Sequence, residues 1–356
     1  MTPVVGLRAS RGFVLLAVLA ALVVMALIAT AIATLAERAI EDERAIEAGL
    51  DGRLAMHSTE ATLLYLLATQ RMTLGGLTID MQVNRTEDEI ASNEVAMPVS
   101  PIGNEVRLDG RSYRGVGPAR FALQDDRGRL SPGWVDPPLR SRLVAQLGGD
   151  PIRAEDLFAT LVDYQDADDL PRLNGAEADE YRAAGLPPPP NRPLANPLEL
   201  RRVLGWRELL APLDDAALME RFTLSRVPSV NVNTAPPAVL RSLFDVDDAT
   251  ARRAVAFREE APFTSSFDVW RSMGLVVGEE GGFMVFPGQG VTLATWAPGA
   301  GARRIRHWQL TPLDDGGAPW RSEYGLRLPA PPLDPRLDAL ADPPAPLFRD
   351  PPAAAR

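Results

Sequence analysis

Residues 11–72 read RGFVLLAVLAALVVMALIATAIATLAERAIEDERAIEAGLDGRLAMHSTEATLLYLLATQRM, and the fold turns on how that stretch is divided. Its first part, Phe13 to Ala36, runs 24 residues without a charge. As a helix rising about 1.5 Å per residue it spans roughly 36 Å, enough to cross a bilayer core of about 30 Å. A cleavable secretory signal carries an apolar run of only about 7–15 residues, so this one is too long for that reading. Arg8 and Arg11 precede it, and a positive flank keeps residues 1–11 cytoplasmic and sends everything after Ala36 across the membrane. Residues 37–72 contain no proline, and Ile40, Ile46, Leu50, Leu54, Leu63, Leu64 and Leu67 recur at helical spacing. The expectation is one helix of about sixty residues, part in lipid and part amphipathic stem, with Gly49 and Gly52 as a soft point.

Outward from the stem the texture changes twice. Residues 73–136 hold strand-like runs, EVRL and then RGVGPARFALQDDRGRL, with Asp125-Asp126-Arg127-Gly128 read as a hairpin turn. Residues 137–278 are helical in pattern: PPLRSRLVAQLGG starts on proline and ends on glycine, and AEDLFATLVDYQDADD, ELRRVLGW and the region 214–221 follow. Strand texture returns in residues 279–313 with FMVF, GVTLATWA and RRIRHWQLTPL, while Pro and Gly crowd residues 314–356, which read as a disordered tail. β-like sequence therefore brackets a helical block. The fold class is α+β, a long N-terminal helix packed on a small antiparallel sheet that carries a large α-helical insertion.

Composition removes several functions. Net charge is -10, the basic residues are all arginine, and there is no cysteine, which excludes a disulfide scaffold, a thiolate metal site and a cysteine nucleophile. The chain is long enough for two domains or one with an insertion. Its two histidines, His57 and His307, sit in no nucleophile motif and are assigned exposed or packing roles. GEEGGF and GQG are turn-like and lack the lysine of a phosphate loop. No enzymatic activity is expected.

Residues 229–260 begin SVNVNTAPPAVLRSLFDVDDATARRAVAFR, a strand-like start, a helix capped at Thr234 with Pro236 and Pro237 in its first turn, a turn and a second helix. That order resembles the helix-hairpin-helix unit of DNA-binding proteins. Such units hold a phosphate on a Gly-apolar-Gly turn, whereas here the turn is Phe244-Asp245-Val246-Asp247-Asp248. Three carboxylates stand where the phosphate would go. The unit is read as packing, with Val239, Leu240, Leu243, Val255 and Phe257 as its apolar contacts, Asp247 and Asp248 capping the second helix, and Arg252, Arg253 and Arg258 in surface ion pairs. Nucleic acid is not an expected partner.

Arg11-Gly12-Phe13 ahead of the apolar helix resembles the processing site of type IV pilin-like proteins, which implies cleavage between Gly12 and Phe13 and N-methylation of Phe13. Residues 1–12 are then a prepilin leader, residues 13–36 the transmembrane helix and residues 37–72 the periplasmic stem. Most of that class carry a glutamate at the fifth mature position, where this chain has Ala17. FALQDDRGRL, LVDYQDADDLPRLNGAEADEY, NPLELRRVLGW and SVNVNTAPPAVL, in that order, resemble the minor pseudopilin K family of type II secretion systems, which lacks the glutamate too. The resemblance implies a pilin-like fold, a single pass through the inner membrane with a large periplasmic domain, and a place at the tip of the pseudopilus. Implied partners are minor pseudopilins I and J, other pseudopilins, prepilin peptidase and the inner-membrane secretion platform, with secreted substrates or the outer-membrane channel at the far end. The rival readings are a membrane-anchored adhesin and a tethered DNA-uptake protein.

One chemical cluster stands out. Asp163, Asp166, Asp168, Asp169, Glu177, Asp179 and Glu180 fall close together around Pro171 and Gly175. Ca²⁺ takes six to eight oxygens from a bent loop, and Asp163, Asp166, Asp168, Asp169 and Glu177 are the candidate ligands, although the spacing is not that of an EF-hand. The resemblance also implies that Ca²⁺ is the one cofactor to consider. The same residues read equally as a helix end followed by a solvated turn.

Overall fold

The computed structural model describes residues 11–82, 100–276, 282–312 and 317–330. Helix α1 runs unbroken over Arg11–Thr69. The strands are β1 (Gln70–Thr73), β2 (Gly76–Gln82), β3 (Asp109–Arg114), β4 (Arg120–Asp125), β5 (Val230–Asn231), β6 (Phe283–Met284), β7 (Gly290–Trp296), β8 (Ala302–Leu310) and β9 (Trp320–Pro329). β3, β4, β7, β8 and β9 form one antiparallel sheet in that spatial order, β1 and β2 form a hairpin, and β5 pairs with β6 in parallel.

One face of the sheet carries the lower part of α1. Leu63, Leu66 and Leu67 pack on Phe121, Leu123, Val291, Leu293 and Trp308. Each buried leucine contributes about 1.5–3 kcal/mol, so this seam fixes the stem on the sheet. Higher up, the contact changes character. Gly49, Gly52, Ala55 and Thr59 continue the buried side, and a methyl at Gly49 would lie 2.9 Å from the carbonyl oxygen of Gly299. These glycines are not a soft point; they let the loop after β7 lie directly on the helix backbone. Leu50 and Leu54 are exposed because at 3.6 residues per turn they fall on the opposite side of α1, whereas Ile40 and Ile46 lie above the domain, where every residue from Val14 to Ala48 is exposed. The stem thus has two apolar faces, and the sheet uses the one made of small residues and lower leucines.

The helical block leaves the sheet at the end of β4 and re-enters at β7, two strands that are neighbours, with Asp125 paired to Val291. It is an insertion into what is otherwise a hairpin. Its helices are α2 (Pro137–Gln146), α3 (Ala154–Asp163), α4 (Ala178–Ala183), α5 (Trp206–Leu209), α6 (Asp215–Arg221), α7 (Pro237–Phe244), α8 (Asp248–Glu260) and α9 (Ser266–Met273). Trp206, Tyr181, Phe222 and Phe263 are fully buried at its centre, and Trp206 donates from Nε1 to the Leu157 carbonyl at 2.7 Å. The two prolines stand in the first turn of α2, as the sequence predicts, and Asp136 caps the helix by accepting from the Leu139 amide.

Four expectations give way. EVRL makes only a single bridge, Val106 to Leu77, because Glu105 gathers the Ile102 and Gly103 amides and the Thr73 hydroxyl and curls the backbone. Asp126–Gly128 is a 3-10 turn at the exit of the sheet, not a hairpin. ELRRVLGW gives a 3-10 turn, Pro197–Arg202, before the short α5. Part of the segment read as a disordered tail is strand β9, whose Tyr324 and Leu328 are buried; residues 331–356 lie outside the described ones.

The glycine contact makes a signed prediction. On a free helix Gly→Ala adds about 1 kcal/mol of stability. Gly49→Ala and Gly52→Ala in the full chain should instead lower it by about 1–3 kcal/mol, through crowding against the 297–300 loop, in urea unfolding followed by circular dichroism. A gain would mean that the stem does not rest on that loop.

Candidate functional sites

Two of the sequence phrases meet at the base of the insertion. The Asp125 carboxylate is fully buried and accepts four hydrogen bonds: from the Arg127 amide (3.1 Å), the Gly288 amide (2.9 Å), Asn231 Nδ2 (2.9 Å) and the Thr234 hydroxyl (2.9 Å). Thr234 therefore does not cap α7, which starts after Pro236 with no side-chain cap; its hydroxyl belongs to Asp125. Asn233 completes the bracket, donating to the Phe263 and Val285 carbonyls and accepting from the Phe263 amide.

Next to it Asp126 and His307 form a buried pair, Nε2 to Oδ2 at 2.6 Å, with the Ser225 hydroxyl donating to the same oxygen. His307 Nδ1 lies 3.3 Å from Glu323, and the ring stacks on Tyr324 at 4.7 Å. Burial pulls the imidazole down, but the Asp126 charge and hydrogen bond, with Glu323 behind it, push it up to about 9. Burial raises Asp126, and His307, Arg129 and Ser225 outweigh that and hold it down to about 2. The sequence pattern marks both acids only as turn residues; it does not show this junction, which joins β4, β8, β9 and the insertion.

The helix-hairpin-helix-like unit is a packing element. Val239, Leu240 and Leu243 are buried, and Val255 and Phe257 are partly buried against the same core. Asp245 adopts the left-handed conformation (φ 54°) that ends α7, and Asp247 caps α8 by accepting from the Thr250 amide. Arg252 pairs with Asp248 as expected. Arg258 does not sit on the surface: it is 2% exposed and donates to the Val232 and Ala235 carbonyls, with Asp109 at 3.9 Å. Arg253, expected in an ion pair, instead donates to the Thr250 hydroxyl, and the turn between the two helices holds three aspartates and no glycine.

The acidic stretch folds into a loop between α3 and α4. Asp163 is buried at the end of α3 and accepts from the Arg172 and Ala176 amides. The Arg172 side chain lies 3.3 Å from Asp163 and 3.0 Å from Asp166. Asp168 accepts from the Leu170 amide and Asp169 from Asn191 Nδ2. Glu177 is buried, and burial first, then the charges of Asp163, Asp166, Asp169 and Asp168, push it up to about 7. Among the described residues no three of these groups already surround one point as metal ligands. Yet Asp163 Oδ1, Asp166 Oδ1 and both Glu177 oxygens are buried without a hydrogen-bond donor, a donor set that suits a hard cation. Gly12 and Phe13 open α1, and their side chains lie outside the described ones.

Comparison with known proteins bears on the same two regions. Two family models for "Type II secretion system (T2SS), protein K" match residues 133–212, which hold the acidic loop and Trp206, and residues 230–279, which hold the Asn231–Thr234 bracket. Over these two segments the chain is similar to the type II secretion system protein K family. A type II secretion system protein K from Klebsiella pneumoniae is 36% identical over 121 residues, 30% of this chain and 33% of that protein, so the match spans about a third of that relative. A crystal structure of the GspK-GspI-GspJ complex from the type 2 secretion system of enterotoxigenic Escherichia coli aligns at a TM-score of 0.46 and 14% identity, over 83% of this chain and 99% of the other.

The Asp126–His307 pair fixes a pH dependence. His307 is raised from 6.5 to about 9, so its contribution is complete below about pH 6.5 and is lost as pH rises through 9. Asp126 is lowered from 3.8 to about 2, so its contribution is present above about pH 4 and is lost as pH falls through 2. Between pH 6.5 and 9 the wild type should lose roughly 1–3 kcal/mol more unfolding free energy than His307→Gln does. Parallel profiles in urea titrations would remove the pair from the stability of the junction.

Proposed function

We propose that this protein is a minor pseudopilin at the tip of a periplasmic pseudopilus, nucleating or capping assembly with minor pseudopilins I and J and performing no reaction of its own. The observation that carries this reading is the free apolar surface of α1: Leu50 and Leu54 are exposed on the side opposite the 297–300 loop, and Ile40 and Ile46 lie above them, where α1 has left its own domain and is exposed on every side. Continuous with it, the described part of α1 is long and apolar enough to cross a membrane. A helix with one face on its own sheet and one face vacant is suited to side-by-side packing with the helices of other subunits. Ala17 removes the intramembrane carboxylate, worth about 2.5–3.5 kcal/mol on insertion scales, that a subunit needs only when a neighbour's amine is there to meet it.

In this reading prepilin peptidase cuts between Gly12 and Phe13, Phe13 is N-methylated, the helix stays in the inner membrane and the insertion faces outward in the periplasm, toward secreted substrates or the outer-membrane channel. Intact mass after co-expression with a prepilin peptidase tests the processing: a chain starting at Phe13 supports it, and one retaining residues 1–12 leaves a plain anchor. Ile40→Asp with Leu50→Asp should abolish co-purification with the other minor pseudopilins and leave the unfolding midpoint of the periplasmic part unchanged. Undiminished co-purification would rule out this face.

Ca²⁺ on the 163–177 loop belongs to the same proposal. Asp163, Asp166, Asp168, Asp169 and Glu177 would hold it, and its charge would offset the burial and the repulsion that raise Glu177. An ion at 100 times its dissociation constant stabilises by about 2.7 kcal/mol. Addition of CaCl₂ to chelator-treated protein should raise the unfolding midpoint by several degrees, and Glu177→Gln should remove most of that shift. Equal shifts in both proteins, or none in the wild type, would take calcium off this loop.

A further inference from the structure

The face of the sheet turned away from α1 is only partly covered by the insertion. Ser112, Ala122 and Ala294 lie in one cross-strand row, each opposite the next, so the middle of that face carries its smallest side chains. Helix α6 crosses above them with Ala216 and Met219, and the space left between is a cleft of about 330 Å³. That is within the range of small-ligand pockets, though at its lower end. Trp296, Ile305 and Leu328 continue the apolar wall.

Two cations and two carboxylates line this cleft, and of the carboxylates Asp109 is already held by Arg107, Arg111 and Arg258. Arg129 is 2% exposed; its Nη1 donates to the Thr292 hydroxyl at 3.0 Å and lies 3.7 Å from Asp126, while its Nε–H has no acceptor. Arg303 lies over the Trp296 ring at 5.4 Å, makes no ion pair with a described residue, and also has a buried Nε–H without an acceptor. Each unmet buried donor costs about 1–3 kcal/mol, and two of them at the edge of one cleft call for an acceptor there. Burial lowers Arg303, the Glu220 carboxylate opposes that and Arg129 reinforces it, so a further anion between the two arginines would relieve both. Glu220 stands exposed at the rim on α6 and forms no ion pair within 4 Å with either arginine.

We infer that this cleft binds a carboxylate on an apolar body, the carboxylate accepting from Arg129 and Arg303 and the body lying on Trp296 and the Ala122–Ala294 floor. The geometry suits two sources of the same chemistry, a free small organic acid or the carboxy terminus of a polypeptide.

The test uses the full chain in detergent micelles, with benzoate, benzamide, and the tripeptide Ala-Ala-Phe as free acid and as amide, followed by saturation-transfer NMR. Benzoate or the free-acid peptide should bind in the millimolar range, and benzamide and the amidated peptide at least tenfold more weakly. Arg303→Gln should weaken the carboxylate at least tenfold, Ala294→Leu should block it by filling the floor, and Glu220→Gln should tighten it by removing the competing rim charge. Binding of benzoate alone assigns the site to free acids, and binding of the peptide assigns it to chain ends; either supports the cleft. Equal binding of acid and amide, binding that survives Arg303→Gln, or no binding of any carboxylate overturns it. Arg303→Gln keeps the test decisive should Ala294→Leu fail to fold, and loss of assembly with pseudopilins in the same variant is not required by this inference.

Discussion

A chain that inserts a whole helical block into a two-strand hairpin must close the block at its base, and here a buried carboxylate does so. Asp125 is the last residue of β4, and its oxygens collect one donor from the turn that follows, two side chains from the 231–234 phrase and one amide from the strand about to return. A carboxylate out of water is costly to ionise: burial raises Asp125 above the usual carboxylate range, and the four donors oppose that in part. Asp126 then faces His307 across the sheet and binds β8 to the same point. The two adjacent acids therefore fix how the insertion leaves the sheet and where it rejoins it.

The other organising feature is the division of α1. On one side glycines, Ala55, Thr59 and the lower leucines meet the sheet and the 297–300 loop, and on the opposite side the larger Leu50 and Leu54 are left in solvent. Small residues allow close backbone approach within one subunit; branched and longer ones offer area to a neighbour. The same helix can then hold its own domain and pack in an assembly without the two contacts competing.

Much of this was readable from residues. A run without charge, continued by an amphipathic one without proline, foretells the long helix, and Pro137 and Asp247 announce the starts of α2 and α8. The packing face of α1 was not readable, because hydrophobicity points to Ile46 and Leu50 whereas close approach selects Gly49 and Gly52. Strand β9 was hidden by flanking Pro and Gly, although Trp320, Tyr324, Leu326 and Leu328 keep a two-residue period within it. The junction escaped because Asp125-Asp126 before Gly128 reads as a turn, and a turn is what it is; its partners lie about a hundred residues away. A signal was present in Asn231, Asn233 and Thr234, polar residues threaded among Val230, Val232 and Ala235. Polar side chains in so apolar a run are buried only when each has a partner, and those partners are Asp125, Phe263 and Val285.

The claim that the insertion is closed by Asp125 is tested most directly by hydrogen exchange on the full chain carrying Asp125→Ala. Amides of residues 230–236 and 286–290 should lose protection first and most, while those of β7, β8 and the lower part of α1 remain protected. Protection that falls evenly across the protein, or does not change in those two segments, would contradict the account.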